Sequence, residues 1–190
     1  MSVELQGNWK KGFAYDVHTL ASNYLGIDEH GHDRWDSVRS DMGELVYQLK
    51  YRDGISKVPE IVELIVSKFK GLDSLDAIVP APASKIRSVQ PVAEIAKALA
   101  EKVGIDYLDV LSKSSSQELK GMDAFEDRLN LLRDSMSIKP SVNLMGKNVL
   151  LVDDLFRSGA TLLVATEILY RDAKCHNVYV LTMTKTRSNR

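Results

Sequence analysis

The sequence predicts an α/β fold, a largely parallel central sheet flanked by helices, and three observations carry that prediction. Short apolar runs bounded by turn residues recur at 75–80, 105–111, 149–152 and 177–184, and Val149-Leu150-Leu151-Val152 is apolar on both faces, as a strand inside a parallel sheet requires. Segments with apolar residues at a 3.6-residue period alternate with these runs. Two of the junctions, 80–85 and 157–161, are built of small, proline or hydroxyl residues and leave the backbone accessible where such sheets collect ligands, at the carboxyl ends of their strands.

A chain of 190 residues is long enough for one well-buried core and short for two, so a single domain over 1–190 with a small appended part is expected. Hydrophobic residues at 44% and charged residues at 27% are ordinary for a globular protein, and a net charge of −1 gives no general attraction to nucleic acid or membrane. No apolar run reaches the roughly 20 residues that span a bilayer, and Met1 to Lys11 is polar. The lone Cys175 has no partner for a disulfide or a zinc site, which agrees with a reducing compartment; a cytoplasmic location is the expectation.

Taken in order, Phe13 to Leu20 alternates as a strand does, and Gly26 to Asp33 reads as a polar loop or hairpin connection. Asp28, Glu29, His30, His32 and Asp33 cluster there, and a solvated loop accounts for them better than a metal site. Val38, Met42, Leu45, Val46 and Leu49 predict a helix over 36–51, capped by Asp36 or Ser37 and stopped by Asp53-Gly54. Lys50-Tyr51-Arg52 at its end reads as a solvated basic turn that complements the helix dipole. A second helix begins near Ser56 and Pro59, carries Ile61, Leu64, Ile65 and Phe69 inward, and is closed by Gly71.

Leu75 to Pro80 is the first core strand, followed by the turn Pro80 to Lys85 and a helix with Pro91 in its first turn, Val92, Ile95, Ala96, Leu99 and Val103 on one face and Gly104 after it. Prolines stiffen the turn, and Lys85 is placed to meet an anion. Ile105 to Leu111 is the next strand. Ser112 to Gly121 is polar and serine-rich, with almost no anchoring hydrophobe, so it is expected to be mobile without ligand. A helix over Met122 to Arg133, a connection over 135–147 with Pro140 and Gly146, and a last strand over Asn177 to Thr184 complete the order. Lys185, Arg187 and Arg190 form a basic tail, read as a frayed terminus with too few charges to hold a polyanion at physiological salt.

The most informative stretch is Val149 to Thr161. A buried strand ends in Asp153 and Asp154, and the turn Arg157-Ser158-Gly159-Ala160-Thr161 opens a helix carrying Leu162, Ala165, Ile168 and Leu169 inward. Such a helix start offers free N–H groups and a positive dipole end to an anion. The Gly-Lys-Ser/Thr of a Walker loop and the three spaced glycines of a dinucleotide fold are both missing from this turn. Two acids beside a phosphate cradle repel a polyphosphate unless they face a ribose diol or a Mg²⁺ ion, so the ligand implied is a phosphorylated sugar.

About ten consecutive residues of this stretch resemble the 5-phosphoribosyl-1-pyrophosphate (PRPP) motif of the type I phosphoribosyltransferases: apolar residues, two acids, a short spacer, then Ser-Gly-Ala-Thr. The resemblance implies that Asp153 and Asp154 are catalytic residues at the ribose hydroxyls and toward Mg²⁺, the expected cofactor. It implies that Arg157, Ser158, Gly159, Ala160 and Thr161 hold the 5′-phosphate. Arg157 departs from the small or hydroxyl residue usual there, and both phosphate contact and solvent exposure are open to it. Ala81, Pro82, Ala83, Ser84 and Lys85 correspond to the pyrophosphate loop, and Ser112 to Gly121 to a lid in which Lys113 and Lys120 reach the pyrophosphate, with Arg128 a weaker candidate. Tyr47-Gln48-Leu49-Lys50-Tyr51, Val79-Pro80-Ala81-Pro82, and Gln117 followed by Asp127-Arg128-Leu129-Asn130 resemble the competence-associated, ComF-type branch. The chain lacks that branch's amino-terminal cysteine ribbon and has a shortened 82–90 segment. The family resemblance implies that the small appended part is an amino-terminal hood of about residues 1–50.

The function so implied is transfer of the phosphoribosyl group from PRPP to a small nitrogenous acceptor with release of pyrophosphate, by a protein with no membrane partner and compatible with a homodimer. Two other classes stand beside it: a PRPP-sensing regulator without turnover, and a competence-type accessory protein that handles nucleic acid.

Overall fold

The structure is a computed structural model that describes residues 2–52, 54–83, 89–114, 124–140 and 143–187. Its centre is a six-stranded sheet of β1 (Val3–Glu4), β2 (Lys11–Val17), β5 (Ala77–Pro80), β6 (Asp106–Tyr107), β9 (Asn148–Phe156) and β10 (Asn177–Lys185), in the spatial order β1-β2-β10-β9-β5-β6. Only β1 runs antiparallel, so the sheet is mostly parallel and the carboxyl ends of five strands share one edge. Helices α1 (Asp41–Tyr51), α2 (Val58–Lys68) and α3 (Pro91–Val103) bury Met42, Ile61, Ile65, Ile95 and Leu99 on one face with Ile78, Leu150, Val152 and Leu181. On the other face α4 (Phe125–Ser135) and α5 (Ala160–Arg171) bury Leu132, Leu162 and Leu169 with Val79, Val149, Leu151 and Val180. Alternate residues of β9 therefore serve opposite cores, which is why its sequence is apolar without a break.

The route of the chain places a crevice. From β5 the chain passes through α3 to β6 on one side, and from β9 through α5 to β10 on the other, so neighbouring β5 and β9 send their connections in opposite directions. Such a switch point leaves a gap between the two loops that follow.

Several elements differ from the sequence expectation. The first strand continues: after β2 the chain forms a hairpin of β3 (Thr19–Ile27) and β4 (Asp33–Arg39), and α1 starts only at Asp41, capped by Ser40 instead of Asp36 or Ser37. Ser40 wins because its hydroxyl accepts from Gly43 N–H at 3.0 Å and also donates to the Val17 carbonyl, tying the helix start to the end of β2. The expected hood thus divides, β1 and β2 entering the main sheet and the hairpin forming a separate two-stranded sheet. Helix α2 ends at Lys68 with extended Phe69 as its cap, and Gly71 (φ 79°) opens the following 3₁₀ turn instead of capping the helix. The run 105–111 breaks into β6 and β7 (Leu111–Lys113), and β7 pairs with β8 (Met136–Ile138), a strand inside the segment expected to be a connection. Helix α4 lies a few residues later than predicted. Lys185 is within β10 and Arg187 donates to the Leu20 carbonyl at 2.9 Å, so this part of the basic tail is held against the hairpin. No helix among the described residues is long and apolar enough to cross a membrane.

Candidate active site

The crevice between β5 and β9 is a cleft of about 650 Å³, lined by Pro80 to Ala83 after β5, Asp153 to Leu162 through the end of β9 and the start of α5, Lys50 of α1, and Lys113, Arg128 and Lys139 opposite. Most of the residues singled out in the sequence therefore meet there: Ala81, Pro82, Ala83, Lys113, Asp153, Asp154, Arg157, Ser158, Gly159, Ala160 and Thr161. Ser84, Lys85 and Lys120 lie outside the described residues.

The two acids stand near the carboxyl end of β9, as expected, and the strand runs two residues beyond them. Strand β9 stays paired with β10 from Asn148 to Phe156, whereas its pairing with β5 stops at Val152 opposite Pro80. The ladder opens on one side at Asp153, and that opening is the cleft. Pleating sends the two side chains to opposite faces of the sheet. Asp154 shares the face of Leu150 and Val152, toward α1, and there its carboxylate is met by Lys50 Nζ at 2.8 Å, with side-chain exposures of 18% for Lys50 and 13% for Asp154. Lys50 is thus not the solvated helix end expected. A signal was present: Lys50 follows Val46 by one turn and Gly43 by two, which carries it along the flank of the buried stripe.

Asp153 faces the α5 side, accepts from the Asp154 N–H at 2.8 Å, and keeps some surface toward the cleft while its carboxyl sits deep. Burial raises its pKa, and the neighbouring Asp154 charge raises it further; the Asp154 N–H and Lys50 pull the other way, leaving it pushed up to about 7. The backbone of Asp154 is held separately. Thr184 Oγ1 donates to its carbonyl at 3.2 Å, so that hydroxyl is the acceptor for His18 Nδ1 at 3.0 Å. His18 has its pKa lowered by burial and then by the nearby Arg39 and Lys50 charges, which favours the neutral ring.

The turn after β9 is braced from below. Phe156 is buried edge-on against Trp9, with ring centroids 6.4 Å apart, and occupies the space beneath Gly159. Gly159 caps α5 at φ 79°, and a Cβ there would come within 2.9 Å of the Phe156 ring, so both backbone and space require glycine. The first amides of α5 have no acceptor within the helix, and Ser158 to Thr161 present them on the cleft wall. Arg157 is exposed at the rim.

Lys113 is placed by a strand and not by a mobile loop: it pairs with Met136 across β7 and β8, is half-buried, and burial lowers its pKa. Lys139, beside it in the cleft wall, is paired with Asp109 at 2.7 Å. Among the described residues no three His, Cys, Asp or Glu side chains gather closely enough to hold a metal ion by themselves.

No protein-family model matches the chain, and no curated protein matches it. Solved structures do. An allosteric regulatory enzyme of purine biosynthesis superposes with a TM-score of 0.50 at 23% identity, over 83% of this chain and 34% of that one. An adenine phosphoribosyltransferase from Thermoanaerobacter pseudethanolicus gives 0.46 at 14% identity over 86% and 95%, and a hypoxanthine phosphoribosyltransferase from Staphylococcus aureus 0.47 at 16% over 72% and 67%. At 23% identity the likeness to the first of these speaks for architecture alone: an α/β chain with a mostly parallel central sheet flanked by helices.

Proposed function

We propose that this chain binds PRPP in the cleft between β5 and β9 and transfers its 5-phosphoribosyl group to a small nitrogenous acceptor, releasing pyrophosphate. The observation that carries the reading is the meeting, at one switch point, of an acid pair, a helix amino terminus on a glycine turn, and half-buried Lys113. Each part suits one part of that ligand. The α5 amides and the hydroxyls of Ser158 and Thr161 suit the 5′-phosphate, Asp153 suits the ribose hydroxyls, and Ala81 to Ala83 with Lys113 suit the pyrophosphate.

In the reaction the bond from ribose carbon 1 to the pyrophosphate oxygen breaks with its electron pair leaving on pyrophosphate, and the acceptor nitrogen forms the new bond to carbon 1. Positive charge grows on the ribose ring as negative charge grows on the leaving group, so the work of the protein is placement and stabilisation of the leaving anion. Lys113 has lost part of its hydration by burial, and an arriving pyrophosphate replaces that water with charge-assisted hydrogen bonds. Mg²⁺ is the cofactor of this proposal, and Asp153 and Asp154, whose side chains leave β9 on opposite faces, are the residues that would stand to it, each singly or through the ribose hydroxyls. When bound, it supplies counter-charge to the pyrophosphate.

Calorimetric titration of PRPP with Mg²⁺ into the parent and into Asp153→Asn tests the binding half. The parent is expected to bind, and the variant to lose at least about tenfold in affinity, since a buried amide replaces a charge-assisted acceptor. Equal affinity would make Asp153 a structural residue and remove the ribose assignment.

A further inference from the structure

We infer that Lys50 is a positioning residue, a resident cation of the acid pair that takes the place of a second divalent ion during PRPP binding. The inference rests on the PRPP reading above and adds a charge requirement that the reading does not contain. Asp153 and Asp154 are adjacent and largely withdrawn from water, and two such carboxylates disfavour each other and any anion that approaches. Lys50, 104 positions away in sequence, is brought to Asp154 by the same docking of α1 that buries Met42, Val46 and Leu49. Helix α1 approaches the end of β2 so closely that a Cβ on Gly43 would collide with the His18 carbonyl, and Ser40 bonds both the helix and Val17. Two turns on, the amine meets the carboxylate. Asp154 is held from behind as well, by the Thr184 hydroxyl that donates to its carbonyl and in turn accepts from His18 Nδ1, so the pair has a fixed place in the cleft wall.

Arg39, another cation on the α1 side, is committed elsewhere: it pairs with Glu44 at 3.3 Å and stacks over the Tyr47 ring at 3.7 Å. With both acids ionised, the two acids and Lys50 sum to one negative charge; without Lys50 they sum to two. PRPP carrying one Mg²⁺ is still an anion, so removal of Lys50 makes a second cation a condition of tight binding. By linkage, the affinity of a ligand that takes up one extra ion rises tenfold for each tenfold rise in that ion.

The test is PRPP affinity by calorimetry across Mg²⁺ concentrations above those that saturate free PRPP, for the parent, Lys50→Met and Lys50→Arg. The parent and Lys50→Arg are expected to give an affinity that does not change with Mg²⁺. Lys50→Met is expected to bind at least about tenfold more weakly at the low end and to recover with a log–log slope near one. If Lys50→Met does not fold, Lys50→Gln, which keeps a donor for Asp154 without the charge, is read in the same way. A neutral variant that follows the parent in level and slope, or a loss shared by Lys50→Arg, overturns the role of Lys50 and leaves PRPP binding standing. Failure of the parent to bind PRPP at any Mg²⁺ concentration overturns the PRPP reading itself, and this inference with it.

Discussion

Lys50 Nζ lies 2.8 Å from Asp154 Oδ2, and this contact joins α1 to the one point where the β5–β9 ladder has opened. Both side chains are mostly buried, so removing one partner strands the other. Lys50→Met and Asp154→Asn are each expected to destabilise the fold by about 1–3 kcal/mol, with the double variant losing less than the sum of the two. Urea unfolding of the four proteins in this cycle measures it; additive losses would show a pair that contributes nothing.

Asp153 predicts a pH dependence. Its folded-state pKa, near 7, is above the unfolded value of about 4, so from about pH 4 upward the folded chain holds a proton that the unfolded chain has lost. Stability from this group therefore falls as pH rises toward 7 and stays low above it. Asp153→Asn removes that penalty. Its melting temperature relative to the parent is expected to rise by about 5 °C between pH 5 and pH 8. A difference that is flat with pH would show that the carboxyl titrates normally.

Gly159→Ala meets two obstacles, a left-handed backbone and the Phe156 ring. A loss of about 1–3 kcal/mol is expected, together with weaker PRPP binding, because the ring or the turn has to move. Parent-like stability and affinity would mean that the turn tolerates a side chain.

Lys113 sits in a paired strand, so trypsin is expected to cut after it slowly with or without PRPP, unlike a lysine in an opening lid. Lys113→Ala is expected to slow pyrophosphate release by about a hundredfold with little change in melting temperature. An unchanged release rate would take Lys113 out of the chemistry.

The local signals explain which parts were legible in the sequence. Unbroken apolar runs and a glycine turn at 149–161 announce a buried strand feeding a helix, and the same logic places β5, α3 and β10 close to where they stand. The helical period puts Lys50 on the flank of the buried stripe, but that its partner is Asp154 was not legible, because the two are joined only by the docking of α1 beside the end of β2, a contact set by Gly43 and Ser40. The break after β6 and the small β7–β8 sheet escaped for a similar reason: three-residue strands bury too little to leave a period. The acids were legible as the end of their strand; that the strand runs on to Phe156 was not, because pairing with β10 persists after pairing with β5 has stopped.

The most direct measurement is pyrophosphate release from PRPP and Mg²⁺ with a panel of purines, pyrimidines, nicotinate-like acids and ammonia. Transfer predicts release that depends on one class of acceptor and collapses in Asp153→Asn and Lys113→Ala. Tight PRPP binding with no release for any acceptor would contradict the transferase account and leave a protein that senses PRPP without consuming it.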